Sequence, residues 1–525
     1  RHITGPVRAR SAALGARRLF FALTLGMTLI VAATNAFYIS EWTVWSMLAM
    51  ALVLPSLMWI SGGAATALTG LICAQAPVSR PASGWQPASR TAVLLLVCRE
   101  DPDAIKRNLS ELVRQIRSAD LAPFCDVIVL SDTFGAGSVA AEEAALSSLR
   151  ADGAINYRRR LVNTGRKPGN IAEWFDREGR DYGQMLVLDA DSRMTGARLA
   201  RMLWRMETQP GLGLLQAGMA LLPARSRFGQ VQRTASRLLG PPFGSGLAAW
   251  TGNTANYWGH NALIRTAAFA EAAHLPRLSG PAPFGGDILS HDFIEAALIR
   301  RTGWAVAFDP DTAGSAEDGP QDMASFHRRN RRWCQGNLQH IRLIAAPGLH
   351  LLSRLHIASG IFSFLAGPVW LALVVLMGSG LVVLNSGVPF VLIIIVLLLP
   401  KLSGLWRLAG AQATPWRRRV GLRAFATELL ISSLLAPIVM LHHTAAVLAV
   451  LMGRDCGWKR PASKAVSLSL PKGLAEAAAG FALVGLVVAV NQPAALWLLP
   501  VAGPMIAAPV LIRWMDSVTT AYRPD

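Results

Sequence analysis

Gln184-Met185-Leu186-Val187-Leu188-Asp189-Ala190-Asp191 is an apolar run of strand length that ends in two carboxylates one residue apart. An unbroken run of this kind reads as a strand covered on both faces, the usual state of a parallel strand. Ligands of open α/β sheets bind outside the carboxyl ends of such strands. Asp189 and Asp191 at that edge offer hard oxygen ligands for a divalent cation, Mg²⁺ or Mn²⁺, held against a diphosphate. For the pair taken alone, a solvated strand end or turn is the competing reading.

The same grammar extends in both directions. Residues 91–97 read as a strand, 103–117 as a helix, and 126–130 as a second strand ending at Ser131-Asp132. A helix near 138–150, a short strand near 154–158 and a helix at 170–180 lead to the strand at 184–189. Alternation of strands and helices, sustained from Thr91 to about residue 320, argues a doubly wound sheet.

Outside that segment the chain turns apolar. Residues 1–18 carry Arg1, Arg8, Arg10, Arg17 and Arg18 with no acid, and 19–39 is an apolar run long enough to span a bilayer. A short link with Glu41 precedes a second apolar stretch, 44–73, where Pro55 and Gly62-Gly63 are expected bends. The first run is too long for a signal peptide and is followed at once by another, and the chain begins at Arg1 rather than Met. Lys and Arg collect on the cytoplasmic side, so the N-terminus and the segment after residue 80 are expected there. Residues 76–90, with Pro77, Pro81 and Pro87, read as a linker.

Beyond Trp333, residues 346–357 read as an interfacial helix, with spans at about 358–384, 388–405, 475–491 and 494–515. The apolar stretch 424–452 has basic residues on both flanks, so it is expected to return to its starting side as two short helices, either a hairpin or a pair along the interface. His442-His443 inside it point to different sides of a helix and do not read as a metal site. The expected organisation is therefore 1–75 with two membrane helices, 76–345 as a cytoplasmic domain, and 346–525 as interfacial and membrane helices with a cytoplasmic loop near 453–473.

Composition limits the alternatives. The chain has 525 residues, 52% hydrophobic and only 16% charged, with a net charge of +19. The charge is not matched by any helix-turn-helix, zinc-finger or aromatic RNA-binding pattern, so nucleic acid is not the expected partner and a lipid bilayer is. The five cysteines show no paired spacing, which argues against a zinc site or a disulfide framework.

Further acidic and basic residues fall at element ends. Arg99-Glu100-Asp101 follows the first strand, Asp132 the second, Arg166-Lys167-Pro168-Gly169-Asn170 opens a helix, Ser290-His291-Asp292 opens another, and Arg328-Arg329-Asn330-Arg331-Arg332-Trp333 precedes the membrane. This constellation resembles the processive inverting glycosyltransferases of family two, the group of cellulose, chitin and hyaluronan synthases. Asp132, Asp189/Asp191 and Asp292 fill its acidic positions and Arg332-Trp333 its final pair; Ser-His stands for Thr-Glu ahead of Asp292, and Arg329 for a Gln. Asn256-Tyr-Trp-Gly-His-Asn-Ala-Leu-Ile-Arg265, Gly286-Asp-Ile-Leu-Ser-His-Asp292, Arg331-Arg-Trp-Cys-Gln-Gly-Asn-Leu-Gln-His340 and Gly453-Arg-Asp-Cys-Gly-Trp458 resemble the glucans biosynthesis glucosyltransferase H family. That resemblance implies a Rossmann-like α/β domain of GT-A type inserted between transmembrane helices. It implies a multi-pass enzyme of the bacterial inner membrane, catalytic domain cytoplasmic. The enzyme would use UDP-glucose to extend a growing β-1,2-glucan chain, the backbone of osmoregulated periplasmic glucans, with coupled export and periplasmic glucan-processing partners following from the product's destination.

Residue roles follow from the chemistry of that transfer. Asp189 and Asp191 would hold the metal, because negative charge builds on the leaving diphosphate. Asp292 would take the proton of the attacking hydroxyl; as a lone residue it reads equally as an acid at a helix N-terminus. Asp132 would meet the uridine, with an ordinary strand-end turn as the alternative, and Glu100 lies beside the same edge. Lys167 and Asn170 would meet uracil or phosphate, with Asn170 also readable as a helix N-cap. Arg329 and Arg332 would fork onto the diphosphate and Trp333 would offer a face to the acceptor sugar, alongside a positive-inside anchoring role. Tyr257, Trp258 and His260 could shape the acceptor side or simply pack, and His291 reads as a structural neighbour. The resemblance also implies that Trp458, Lys459 and Arg460 reach the diphosphate when their loop closes. A synthase for another polysaccharide (cellulose-, chitin- or hyaluronan-like), a lipid-linked glycosyl transfer enzyme and a non-catalytic nucleotide-sensing membrane protein are the competing readings.

Overall fold

The structure, a computed structural model, describes residues 7–73, 81–82, 84–272, 275–410, 415–456 and 472–519. Two long helices, α1 (Val7–Tyr38) and α2 (Val44–Ile72), open it. The α/β segment follows as β1 (Thr91–Val97), α3 (Pro102–Ser118), β2 (Cys125–Ser131), α4 (Ala136–Ala151), β3 (Asn156–Arg159), α5 (Arg166–Arg177) and β4 (Gln184–Asp189). It continues as β5 (Arg193–Met194), α6 (Gly196–Thr208), β6 (Leu212–Ala217), β7 (Ala220–Leu221), α7 (Arg227–Thr251), β8 (Ala262–Arg265), α8 (Thr266–Ala272), α9 (His291–Arg301), β9 (Ala305–Asp309), β10 (Ser315–Glu317) and α10 (Met323–Gln339). The remaining helices are α11 (Leu351–Gly378), α12 (Val388–Gly410), α13 (Pro415–Leu451), α14 (Leu474–Asn491), α15 (Ala495–Ile506) and α16 (Ala508–Asp516).

The main sheet has seven strands in the order β3-β2-β1-β4-β8-β6-β9, and β5, β10 and β7 form a small second sheet. Every residue of β1 is buried. Val93, Leu95 and Val97 pack with residues of α3 and α6, whereas Ala92, Leu94 and Leu96 share a core with α5, α9 and α10. Burying a Val or Leu fully contributes about 1.5–3 kcal/mol, so a strand covered on both faces anchors both helix layers. The sheet is mixed rather than purely parallel: β8 runs antiparallel to both β4 and β6. β8 follows the long α7, not a crossover helix, and so enters the sheet from the opposite end.

Six stretches among the described residues are long and apolar enough to cross a membrane: Ala13–Tyr38, Val44–Ile72, Leu351–Gly378, Val388–Leu408, Arg418–Leu451 and Leu474–Ile506. α2 runs unbroken through Pro55 and Gly62-Gly63. At the contact of α2 with α7 the two backbones touch: a methyl on Gly246 would stand 1.7 Å from the Thr66 carbonyl oxygen, and one on Gly70 would stand 1.9 Å from that of Pro242.

Two expectations about the C-terminal helices need correction. The interfacial helix and the following span are one continuous helix, α11, because Ile357, Ile361 and Phe364 in its first half join the core of the α/β domain. The stretch 424–452 is not two short helices but part of the 37-residue α13. α13 tracks α10 instead of leaving it. Ile431, Leu435 and Ile438 pack with Met323, His443 Nε2 lies 3.3 Å from Asn330 Nδ2, and just beyond the helix Cys456 N–H donates to Gln335 Oε1 at 2.7 Å. The stretch from Ile431 to Cys456 thus follows α10, with the helix unbroken to Leu451. Leu474–Ile506, by contrast, folds back on itself: Leu483 and Val487 of α14 pack with Leu498 and Ala502 of α15. Trp458, Lys459 and Arg460 lie outside the described residues.

Candidate active site

β4 ends at Asp189, at the carboxyl edge of the sheet. Across from it, α5 opens on two residues with left-handed backbone, Gly165 (φ +66°) and Arg166 (φ +55°). This tight entry aims Lys167 inward. Its Nζ contacts the Asp189 carboxylate and donates to the Gly259 carbonyl oxygen at 2.7 Å. The same carbonyl accepts from Tyr257 Oη at 2.8 Å. Gly259 has φ +87°, and a methyl built on it would lie 3.8 Å from Asp292 Oδ2 and 4.0 Å from Lys167 Nζ. Asp189, Lys167, Gly259 and Asp292 are therefore neighbours at the sheet edge.

Asp292 lies in the first turn of α9, which begins at His291. By area it is only partly covered, yet the protein around it desolvates the carboxylate and raises its pKa above the usual range, against the opposing pull of His291. His291 itself is buried, with Nδ1 3.2 Å from Glu295 Oε2, as a structural neighbour should be. Asp191 is pushed up to about 6, first by burial and then by Asp189.

Asp132 is joined to the same helix. Arg160 reaches both of its oxygens, with Nη2 2.9 Å from Oδ2, and Asn170 Nδ2 donates to Oδ1 at 3.1 Å. Asn170 does not open or cap a helix: α5 starts at Arg166, and Asn170 is buried one turn in, bridging Asp132 and Arg158 Nη1 (3.1 Å). Lys167 and Asn170, three residues apart on one helix face, thus tie Asp189 and Asp132 to a single helix end. Arg160 is the residue the sequence did not single out. It also donates to the carbonyl oxygens of Thr164 (2.8 Å) and Arg166 (2.7 Å), closing the loop that enters α5. Nothing in the run Arg158-Arg159-Arg160 marks the third arginine as different. Glu100 turns back onto the backbone N–H of Cys98.

α10 supplies the basic wall. Arg329 stacks over Trp333 at 4.4 Å, and Trp333 is 48% exposed. Burial lowers the Arg329 pKa while Glu317 and Asp191 pull it back up, which places Arg329 within electrostatic reach of the metal-type carboxylate. Arg332 sits three residues on from Arg329, on the same face. The rest of this helix clamps the loop leading to Asp292. A methyl on Gly336 would strike Ser290 Oγ at 2.3 Å, Gln339 accepts from Leu289 N–H at 3.0 Å, and His340 Nε2 lies 2.8 Å from the Ser290 carbonyl oxygen. His260 is held at Nε2 by Glu317 Oε2 (3.2 Å); burial opposes its charge, but Glu317 and Asp189 outweigh that and keep its pKa near about 9.

Asp189 and Asp191 are the residues that could hold a divalent cation. Two carboxylates make an all-oxygen set suited to Mg²⁺ or Mn²⁺. No cluster of three or more His, Cys, Asp or Glu ligands occurs among the described residues, so such an ion would need oxygens from a diphosphate or water to complete its shell. That is the donor set expected for an ion that arrives with its nucleotide.

The model of glycosyl transferase family group 2 matches residues 185–452. The glucans biosynthesis glucosyltransferase H of Vibrio cholerae (El Tor Inaba N16961) is 38% identical over 480 residues, covering 84% of this chain and 66% of that relative. Its counterpart in Xanthomonas campestris pv. campestris (strain B100) is 37% identical over 500 residues, covering 86% of this chain and 77% of that one. The chain belongs to the glucans biosynthesis glucosyltransferase H family. It is a glycosyltransferase, with a mixed-sheet α/β domain flanked by apolar helices. A mannosyltransferase of Pyrobaculum calidifontis, solved with GDP-Man and Mn²⁺, is 16% identical with a TM-score of 0.47 and covers 78% of this chain and 100% of its own. The family match holds Asp189, Asp191, Asp292, Arg329, Arg332 and Trp333, while Glu100, Asp132, Lys167 and Asn170 precede it. The chain spans about two thirds of the Vibrio relative.

Proposed function

We propose that this glucosyltransferase H family member transfers glucose from UDP-glucose, with inversion, onto the growing β-1,2-linked backbone of osmoregulated periplasmic glucans. The observation that carries the reading is the convergence of Asp189, Lys167, Gly259 and Asp292 at one point of the sheet edge. It supports a candidate base close to a metal-type carboxylate.

In this reading Asp132 and Asn170 hold the uridine end and Glu100 shapes the neighbouring turn. Lys167, Arg329 and Arg332 neutralise the diphosphate as it leaves. Asp189 and Asp191 would hold Mg²⁺ or Mn²⁺, which supplies Lewis-acid stabilisation of the leaving diphosphate when bound. Asp292 accepts the proton of the attacking glucan hydroxyl, and Trp333 supports the acceptor ring. The basic N-terminal flank supports a cytoplasmic catalytic domain beneath the bacterial inner membrane. The product then has to cross that membrane, which calls for coupled export and for periplasmic partners that process the glucan.

The test is direct. Purified protein in lipid is incubated with labelled UDP-glucose and Mg²⁺, and any polymer is subjected to linkage analysis. A β-1,2-glucan is the expected product; another linkage, a lipid-linked glucose, or no transfer would each overturn the assignment.

A further inference from the structure

The Asp189–Ser192 turn is held from two sides by uncharged groups. From below, Asn108 of α3, which is 3% exposed, donates through Nδ2 to the carbonyl oxygens of Ala190 (2.8 Å) and Ser192 (2.9 Å). From within, Ser192 Oγ accepts the Asp189 N–H at 3.0 Å, and the Ser192 N–H donates back to the Asp189 carbonyl oxygen at 3.0 Å. Ser192 is 2% exposed, and its Oγ also lies 3.2 Å from His260 Nδ1. His260 in turn is fixed at its far nitrogen by Glu317 and at its carbonyl oxygen by Gln216 Nε2 (3.0 Å). A short turn bearing two carboxylates would otherwise be free to splay them apart, since like charges repel.

From this geometry we propose that Asn108 and Ser192 are positioning residues: they set the Asp189 and Asp191 carboxylates at the spacing of a divalent cation before the nucleotide arrives. The proposal rests on the metal-site reading given above. Outer contacts of this kind orient the ligands of an ion and cost affinity when removed. Both side chains are uncharged, so their loss alters the geometry of the turn and leaves its charge as it was. Substituting His260 or Glu317 would change both.

The experiment uses the full chain in lipid, with Mn²⁺ as the probe. Free Mn²⁺ is counted by its electron paramagnetic resonance signal in the presence of UDP, and UDP binding without metal is measured by calorimetry. Ser192→Ala and Asn108→Leu are each expected to weaken Mn²⁺ binding roughly ten- to a hundredfold, with metal-free UDP binding held within about twofold. Ser192→Ala removes a single oxygen and carries the test alone if Asn108→Leu fails to fold. Mn²⁺ affinity within about twofold of the parent in the folded variants would overturn the proposal, as would a matching loss of metal-free UDP binding. If the unaltered protein with UDP bound no Mn²⁺, the metal-site reading itself would fall, a result separable from the other two.

Discussion

Replacing Asp292 by Asn separates the chemistry of the site from its stability. The substitution keeps the shape of the side chain and removes its capacity to accept a proton. General bases contribute about 10²- to 10⁴-fold to rate, which corresponds to about 2.7–5.4 kcal/mol of barrier at 1.36 kcal/mol per decade. Turnover of UDP-glucose should fall by that factor while donor binding is kept. Stability should move the other way. The folded protein holds the Asp292 pKa above its ordinary value, chiefly through burial. The folded state thus binds this proton more tightly than the unfolded chain, and as pH rises through the raised pKa the carboxylate ionises at a cost to folding. Above that pH, Asp292→Asn should melt at the same temperature as the parent or higher. The base works only when ionised, so the acidic limb of the parent's kcat profile should lie above the usual Asp range and be missing from the residual activity of the variant. Initial rates with labelled UDP-glucose from pH 4.5 to 9, beside melting curves in lipid, measure all three. Turnover by the Asn variant within threefold of the parent, or a melting point well below it at alkaline pH, would refute the assignment of the base.

Arg160→Met should destabilise the protein by about 3–5 kcal/mol, because it leaves Asp132 charged and unpaired in a buried setting, and Asp132→Asn in the same chain should recover much of the loss in a melting assay. Gly259→Ala sets a methyl against Asp292 and Lys167 and asks a non-glycine residue to hold φ +87°; a folded protein with at least about tenfold lower kcat is expected, the left-handed backbone alone costing about 1–2 kcal/mol. Chelation of divalent cations should abolish transfer, and added Mg²⁺ or Mn²⁺ should restore it in a rate assay.

The parts of the molecule that were legible in the sequence are those where one element carries its own signal. The runs at 91–97 and 184–189 show their strands because each is buried on both faces, and the second ends at a carboxylate. Asp189, Asp292 and Lys167 stand at element ends, where composition changes abruptly. What escaped notice depends on partners distant in sequence. β8 looks like any short apolar strand, and its antiparallel direction is set by where α7 delivers the chain. Arg160, Asn108 and Glu142 have no distinguishing neighbours; Glu142 is buried under Ser131 Oγ (2.5 Å), Thr133 Oγ1 (2.5 Å) and Tyr157 Oη (2.9 Å) and shows its importance only in three dimensions. α13 escapes because basic flanks on both sides of an apolar stretch suggest a return within it, whereas its helix is held continuous by contacts with α10 that are distant in sequence.

The glycines at the crossing of α2 and α7 have a mechanical consequence. With Gly246 and Gly70 bringing two main chains into contact, a side chain at either position would wedge the helices apart. Trp250 Nε1, donating to Thr66 Oγ1 at 3.3 Å, pins the same crossing from the side. A joint this close resists rocking, so α2 and α7 shift together and any relative motion of the helices has to originate elsewhere.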